Sequence, residues 1–566
     1  MQTTRWAAAA AIAIAAGGGL YAFRAAQEAR YSNIYPADYV GPDACRECHE
    51  ENHQENYESW QAHSHRTMNQ NPDDVSVKGD FSGAEVSYGR GRAVFHREGA
   101  DFLMSLYEGE RLLRRHVVTR TVGSLYVQYY IGKQVEGPEP RGHRTYRLES
   151  KLPFGYSIAL KRWLPEVYLD STFYDERAYL EGGSERDYVY APPVQSWNMT
   201  CLKCHNTYPY VARLWRERSY WGGGFPKAAV EWRGSVEPKG REIVRPGVRA
   251  LHGDELTTVG ISCESCHFGG REHAVENRKI RFVPTAPELT IRRPGTDQRV
   301  ESDREDPLVV NSICGQCHNA GLNVYPDGAH AVNSSEALAM AAGACNGAIK
   351  CTDCHNPHEA GPPSGAEDLA GHIDACLGCH TRFEGAAVLA QHTRHSAGVN
   401  CLDCHMPRIV SGLDMVVRSH RISSPTDPRM LGSDAPNSCN LCHLDRSLAW
   451  TVRELAKGWG YEAPADAGSE EPLGEVWLRS SNSFLRAAAA EAYARSPFLD
   501  DRIPFLLRAL EDERAFNRTI GLITVEKVVG RRIAEGEYDL LAPRATRARQ
   551  VSALNETLRT QQQASR

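Results

Sequence analysis

Apolar and polar positions follow four different rhythms along this chain. From Trp6 to Phe23 an uncharged, alanine-rich stretch of 18 residues lies between Arg5 and Arg24. A basic start followed by an apolar run is the pattern of an export signal, and its length also suffices for an uncleaved membrane anchor. From Ala84 to Tyr107, short β-prone runs are broken at Gly89-Arg90-Gly91 and Glu98-Gly99-Ala100. This predicts a meander of hairpins that Arg114–Tyr130 continues. From Cys201 to His443 few windows hold a sustained apolar period, which predicts short helices and long loops. The tail changes again. Leu478–Arg495 and Pro504–Val529 read as helices, and Arg486-Ala-Ala-Ala-Ala-Glu-Ala resembles Arg518-Thr-Ile-Gly-Leu-Ile-Thr. The tail therefore reads as one or two HEAT-type repeats or as a plain helical lid, and so few repeats must pack on something else.

Cysteine organises the poorly patterned middle. The pentapeptide Cys-x-x-Cys-His occurs eight times: Cys45-x-x-Cys48-His49, Cys201-x-x-Cys204-His205, Cys263-x-x-Cys266-His267, Cys314-x-x-Cys317-His318, Cys351-x-x-Cys354-His355, Cys376-x-x-Cys379-His380, Cys401-x-x-Cys404-His405 and Cys439-x-x-Cys442-His443. This is the attachment site of c-type haem. Two thiols add across the haem vinyl groups, and the histidine binds the iron. At i, i+3 and i+4 all three groups share one face of a helical turn. Zinc ribbons and disulfides are the competing readings, but neither requires a histidine directly after each pair. Eight covalent haems are thus expected. The motifs use 16 of the 17 cysteines. The one left, Cys345, lies among small residues and reads as a buried apolar side chain.

The bulk numbers then bound the rest. A chain of 566 residues predicts two or three units. The spacing of motifs suggests boundaries: 1–30 a signal peptide or anchor, 31–80 the first haem segment, 81–195 a β-rich insertion, 196–445 the haem-dense domain and 446–566 a helical tail. A formal charge of -6 suggests no nucleic-acid partner. Haem propionates add further negative charge, which suits docking of basic redox proteins. Porphyrin supplies much of the missing apolar core, so the haem-free chain is not expected to fold.

Six-coordinate haem needs a second axial ligand. Fourteen histidines lie outside the motifs. The expected distal ligands are His65, His116, His252, His273, His330, His358, His395 and His420. His358 stands three residues past His355, too close to reach the far face of its own haem but able to reach a neighbouring iron. His273 follows His267 closely, and both His392 and His395 precede Cys401. Met68 and Met406 are further axial donors by chemistry, although Met406 directly follows His405 and reads as packing.

The segments Tyr39-Val-Gly-Pro-Asp-Ala-Cys-Arg-Glu-Cys-His49, Trp60…His65…Met68, Cys351-Thr-Asp-Cys-His-Asn-Pro-His358 and His395…Cys401-Leu-Asp-Cys-His-Met-Pro407 carry a resemblance. From about Tyr39 to His443 the chain resembles the exported multihaem cytochromes that include hydroxylamine oxidoreductase and pentahaem nitrite reductase. It is most similar to octahaem members that continue into helical repeats. The resemblance implies a multihaem cytochrome c fold, with short helices and loops around stacked haems. A small antiparallel β insertion and a repeat-like helical tail complete the expected fold class. The nitrite reductases bind their catalytic haem through Cys-x-x-Cys-Lys, and no such motif occurs here; Lys203 and Lys350 do not hold the ligand position. Electron transfer outside the cytoplasm is the first functional expectation, with another cytochrome or a quinol-linked membrane donor as partner. The second is an oxidoreductase with one open haem, acting on hydroxylamine or a small nitrogen or sulfur oxyanion. The Arg- and Tyr-rich segment Arg111–Tyr130 would then help line its pocket, or else form a charged sheet face. A subunit in a larger assembly is compatible with both.

Overall fold

The computed structural model describes residues 30–565 except 51–53, 171–188, 192, 194, 217–228, 234–242, 246–247, 250–252, 322, 362–367, 396–397, 433, 463–468 and 500. The N-terminal apolar segment lies outside the described residues. Among the described residues no helix is long and apolar enough to cross a membrane. Packing divides the chain into two units, Met1–Glu58 with Asn206–Gln316 and Ser59–His205 with Cys317–Arg566.

The second unit is built on an eight-stranded antiparallel sheet. Its strands are β1 (Asn69–Gln70), β2 (Ala84–Tyr88), β3 (Gly91–Glu98), β4 (Asp101–Glu108), β5 (Arg111–Val122), β6 (Val127–Glu136), β7 (Ser150–Ser157) and β8 (Arg162–Pro165). The order runs β2 to β8 without a crossover, with β1 paired to β5. β8 comes back against β2, so the sheet nearly closes. This sheet is much larger than the small insertion expected. The first three hairpins explain its start. Each has a two-residue loop whose first residue is a left-handed glycine: Gly89 (φ 60), Gly99 (φ 62) and Gly109 (φ 57). A type II′ turn places its positive φ there, and only glycine takes that conformation without strain.

Inside the sheet, Phe95 stacks on Trp163 with ring centroids 3.7 Å apart and planes 1° from parallel. Phe81 meets Phe95, Phe102, Tyr130 and Trp163 edge-on. The same core continues into the C-terminal helices through Leu485, Tyr493, Leu506, Leu522 and Val525. These helices are Leu448–Trp459, Leu473–Leu478, Ser483–Arg495, Ile503–Arg508, Ala515–Val529 and Arg544–Ser565. Polar contacts pin them to the sheet. Arg162 donates to the Ile533 carbonyl at 2.8 Å, Arg532 to that of Ala159 at 2.7 Å, and the buried Arg518 to the Tyr168 hydroxyl at 3.1 Å. The tail therefore packs within the unit that carries the sheet.

The arginines of Arg111–Tyr130 form sheet ion pairs. Arg111 meets Glu108 and Arg114 meets Glu139; Arg115 reaches Glu98 and Glu136, each at 3.6 Å, and Arg120 reaches Glu149 at 3.5 Å. The charged face expected of this segment accounts for them.

The first unit has a smaller core of Ile34, Tyr210, Val211, Leu214, Phe268, Leu289, Ile291 and Val309. Short antiparallel pairs frame it, Asn206–Thr207 with Thr258–Val259 and Ala229–Trp232 with Leu289–Arg292.

Replacing Phe95 by Ala removes both the stack on Trp163 and the edge contact to Phe154 from a fully buried site. The expected cost is about 3–5 kcal/mol, read as a lower urea midpoint of the haem-loaded protein at unchanged haem content.

Candidate haem-binding sites

Each motif closes as one helical turn or lies on a helix end. The histidine N–H donates to the first cysteine carbonyl in His205→Cys201 (3.2 Å), His267→Cys263 (2.9 Å), His355→Cys351 (3.0 Å), His380→Cys376 (2.9 Å) and His443→Cys439 (2.9 Å). Cys45–His49 ends the helix Pro42–His49, and Cys401–His405 is itself a helix. Asn400 caps the latter by accepting from Leu402 N–H, and Asp403 accepts from the Asn400 backbone at 3.2 Å. No disulfide joins any of the seventeen cysteines.

Glu264, inside the third motif, ties it to the first. Its carboxylate accepts from the backbone N–H groups of Val40 (3.0 Å), Gly41 (2.8 Å) and Gly270 (2.7 Å). Gly41 caps the helix that carries Cys45 and His49. Cys45 and Cys263 lie beside each other, so these two attachment sites are neighbours.

Five pairs of histidine rings share one spacing, while His63 stacks on His65 at 4.6 Å and His372 lies 5.5 Å from His355. His49 faces His273 at 6.3 Å between ring centroids, and His318 faces His65 at 6.4 Å. His355 faces His420 at 6.2 Å, His405 faces His392 at 6.3 Å, and His443 faces His395 at 6.2 Å. Each of the five pairs holds one motif histidine and one from elsewhere. Two imidazoles on opposite sides of one metal, each bound at about 2.0 Å and with about 1.15 Å from nitrogen to ring centre, have centroids about 6.3 Å apart. On a tetrahedral metal the same bonds give about 5.1 Å. The observed spacing fits a linear axial pair, as haem iron requires.

Hydrogen bonds set the ring orientation. The Nδ1 atoms of His273, His395 and His405 contact the carbonyls of Arg278 (2.6 Å), Thr393 (2.6 Å) and Ser423 (2.8 Å). His318 Nδ1 contacts Glu336 Oε2 at 2.9 Å. With Nδ1 engaged as donor, Nε2 is left as the ligating atom. Burial lowers His65 to about 3 and His355 to about 4, which keeps both imidazoles neutral at ordinary pH. Burial also opposes charge on His318, but the Glu336 carboxylate outweighs it and lifts His318 to about 9. Burial of Glu336 is likewise outweighed by the His318 contact, which holds its carboxyl at about 2.

The loops carrying distal histidines are fastened independently. Arg421, next to His420, donates to the Asp327 carbonyl at 2.8 Å and to the carboxylates of Asp327 (3.2 Å) and Asp427 (3.3 Å). His63 caps the helix Ser64–Thr67 by accepting from His65 N–H at 2.9 Å. Arg394 and Trp459 tie the segment of His392 and His395 to the helix Leu448–Trp459. Phe498 stacks on His443 at 4.3 Å.

Of the expected distal ligands, His65, His273, His395 and His420 stand opposite motif histidines. His392 does so too, although His395 was the expected ligand before Cys401. Its signal was its place three residues ahead of His395. His252 lies outside the described residues. His358 is exposed, with its backbone N–H on Asn356. His330 lies in a short bridge with Val324, and its Nδ1 is buried without a partner. His116 sits in β5 between Met104 and Gln134, 1 % exposed, with neither ring nitrogen hydrogen-bonded. Burial lowers it to about 4 from 6.5.

Because the folded His116 resists protonation, stability is full above about pH 6.5 and falls as pH drops toward 4, by about 3 kcal/mol in all. His116→Leu should remove that share of acid sensitivity, measured as the difference in urea midpoint between pH 7 and pH 5, with the haem spectrum unchanged. By contrast, His392→Ala should convert one low-spin haem to high spin, and His358→Ala should convert none of the five paired sites. Electron paramagnetic resonance reads both.

Residues 380–455 match the family model of cytochrome c552. That segment holds His392, His395, His420 and the motifs Cys401–His405 and Cys439–His443. No curated protein matches the chain. Among solved structures, the chain is similar to the outer cell wall cytochrome OcwA, at 15% identity over 87% of this chain and 98% of that one. The TM-score is 0.36, too loose a likeness to establish a common fold. The repeated attachment motif and the cytochrome c552 segment together mark this chain as a c-type cytochrome, with covalently bound haem iron and a role in electron transfer.

Proposed function

We propose that the chain binds eight haems, one on each Cys-x-x-Cys-His motif, and serves as an exported electron carrier. The observation that carries this reading is the common 6.2–6.4 Å spacing of five motif histidines from five others. Bound haem iron supplies one-electron chemistry; the protein supplies attachment, ligands and surroundings. The ligand pairs are His49/His273, His65/His318, His355/His420, His392/His405 and His395/His443. Two imidazoles on one iron would leave no position for a substrate, which favours a carrier over an oxidoreductase at these five sites. Phe498 and Trp450 cover the His443 ring. The partner is a redox protein with a basic docking face, drawn by the acidic balance of the chain and by the haem propionates. Export rests on the run Trp6–Phe23 and on the site of c-type haem attachment, which in bacteria lies outside the cytoplasm.

Intact mass and a haem-content assay should give eight haems per chain, and each Cys→Ser change in a motif should weaken one attachment. The ferric protein should show low-spin signals for at least five haems by electron paramagnetic resonance. A high-spin component equal to one haem that shifts with hydroxylamine or nitrite would replace the carrier by the oxidoreductase reading. Fewer than five low-spin haems would overturn the pairing.

A further inference from the structure

Four of the paired histidines make a defined Nδ1 contact, and one of the four differs in charge. His273, His395 and His405 meet neutral backbone carbonyls. His318 meets the carboxylate of Glu336. This carboxylate is held in place on both sides. Its other oxygen accepts the Ser334 N–H at 2.9 Å. The two ends of the intervening loop are also stitched together: Ala337 N–H donates to the His318 carbonyl at 2.9 Å, and Ala320 N–H donates to the Ser334 carbonyl at 2.6 Å. Ser334 itself is left-handed, with φ 64, so the turn that aims Glu336 is a specific one. The Glu336 side chain is 27% exposed, against 45% for His318.

A carboxylate on Nδ1–H pulls the proton toward itself and makes the imidazole a stronger donor to its metal. It also adds a negative charge near the iron, which stabilises the more positive ferric state over the ferrous one. A carbonyl acceptor does the first weakly and the second hardly at all. Reduction here moves one electron onto the iron and breaks no bond; the proton stays shared between Nδ1 and Oε2.

We infer that Glu336 is a positioning residue that sets the haem on His65 and His318 at a lower reduction potential than the other paired sites. The inference rests on the proposed pairing of those two histidines. It makes this haem the most reducing of the five, the last to accept an electron and the first to give one up.

Glu336→Gln keeps the size and a hydrogen-bond acceptor and removes the charge. In the haem-loaded full chain, a spectroelectrochemical titration followed by electron paramagnetic resonance should show the lowest-potential low-spin signal moving upward. The expected change is at least tenfold in the reduction equilibrium of one haem, which is 59 mV for one electron, with altered g-values for that signal. Glu336→Asp, which restores the charge, should return the potential toward the original. Unchanged potentials in Glu336→Gln, with all low-spin signals retained, overturn the inference and leave the histidine pairing intact. Fewer than five low-spin haems in the unmodified protein overturn the pairing itself. Should Glu336→Gln fail to load haem, the unmodified protein decides: its redox-difference infrared spectrum should contain a carboxylate band that responds to reduction of the lowest-potential haem. Absence of that band overturns the inference.

Discussion

Haem iron accepts its two axial nitrogens along one line, and most of the local structure around the motifs answers to that demand. A pair of imidazoles facing each other across about 6.3 Å is a poor arrangement for protein alone. The rings do not touch each other, so the chain fixes several of them from behind. His405 is fixed by the Ser423 carbonyl, and His273 by the Arg278 carbonyl. His420 is held through the Asp327–Arg421–Asp427 clamp. The cost of burying Arg421 beside two carboxylates is offset by three hydrogen bonds from its guanidinium, to one carbonyl and two acids.

Regular secondary structure concentrates where the motifs are not. The sheet from β1 to β8 and the C-terminal helices share one apolar core, rich in aromatic rings. The segment from Cys351 to His392 contains two motifs, and almost none of its described residues has a buried side chain. A porphyrin has a large apolar face, and a chain that is to cover it cannot also bury its own side chains in a conventional core. The sheet and helices then supply the stability that the motif-bearing loops lack.

Parts of this fold were legible and parts were not, for physical reasons visible in single residues. The hairpins at Gly89 and Gly99 could be read because each glycine interrupts a β-prone run, whereas the turn at Gly109 was found only in the structure. β7 was missed because Ser150–Ser157 is buried along nearly its whole length, so polar and apolar positions do not alternate. Among the histidines, His116 and His330 look no different in sequence from His65. Strand pairing placed them, His116 in β5 between Met104 and Gln134 and His330 in a bridge with Val324. His392 and His395 are three residues apart, and both reach motif histidines because the helix Ala386–Thr393 ends between them at the left-handed Arg394.

By itself the sequence determined the chemistry of attachment. Two thiols and an imidazole within five residues need only one helical turn to act together, so the motif carries its meaning locally. It also determined the short hairpins, whose turns are set by neighbouring residues. Only the tertiary structure decided which histidine stands behind which motif, and that Glu336 rather than a carbonyl receives the His318 proton. Those choices join residues far apart along the chain. They depend on how loops are clamped and where the core forms, and no window of sequence contains that information.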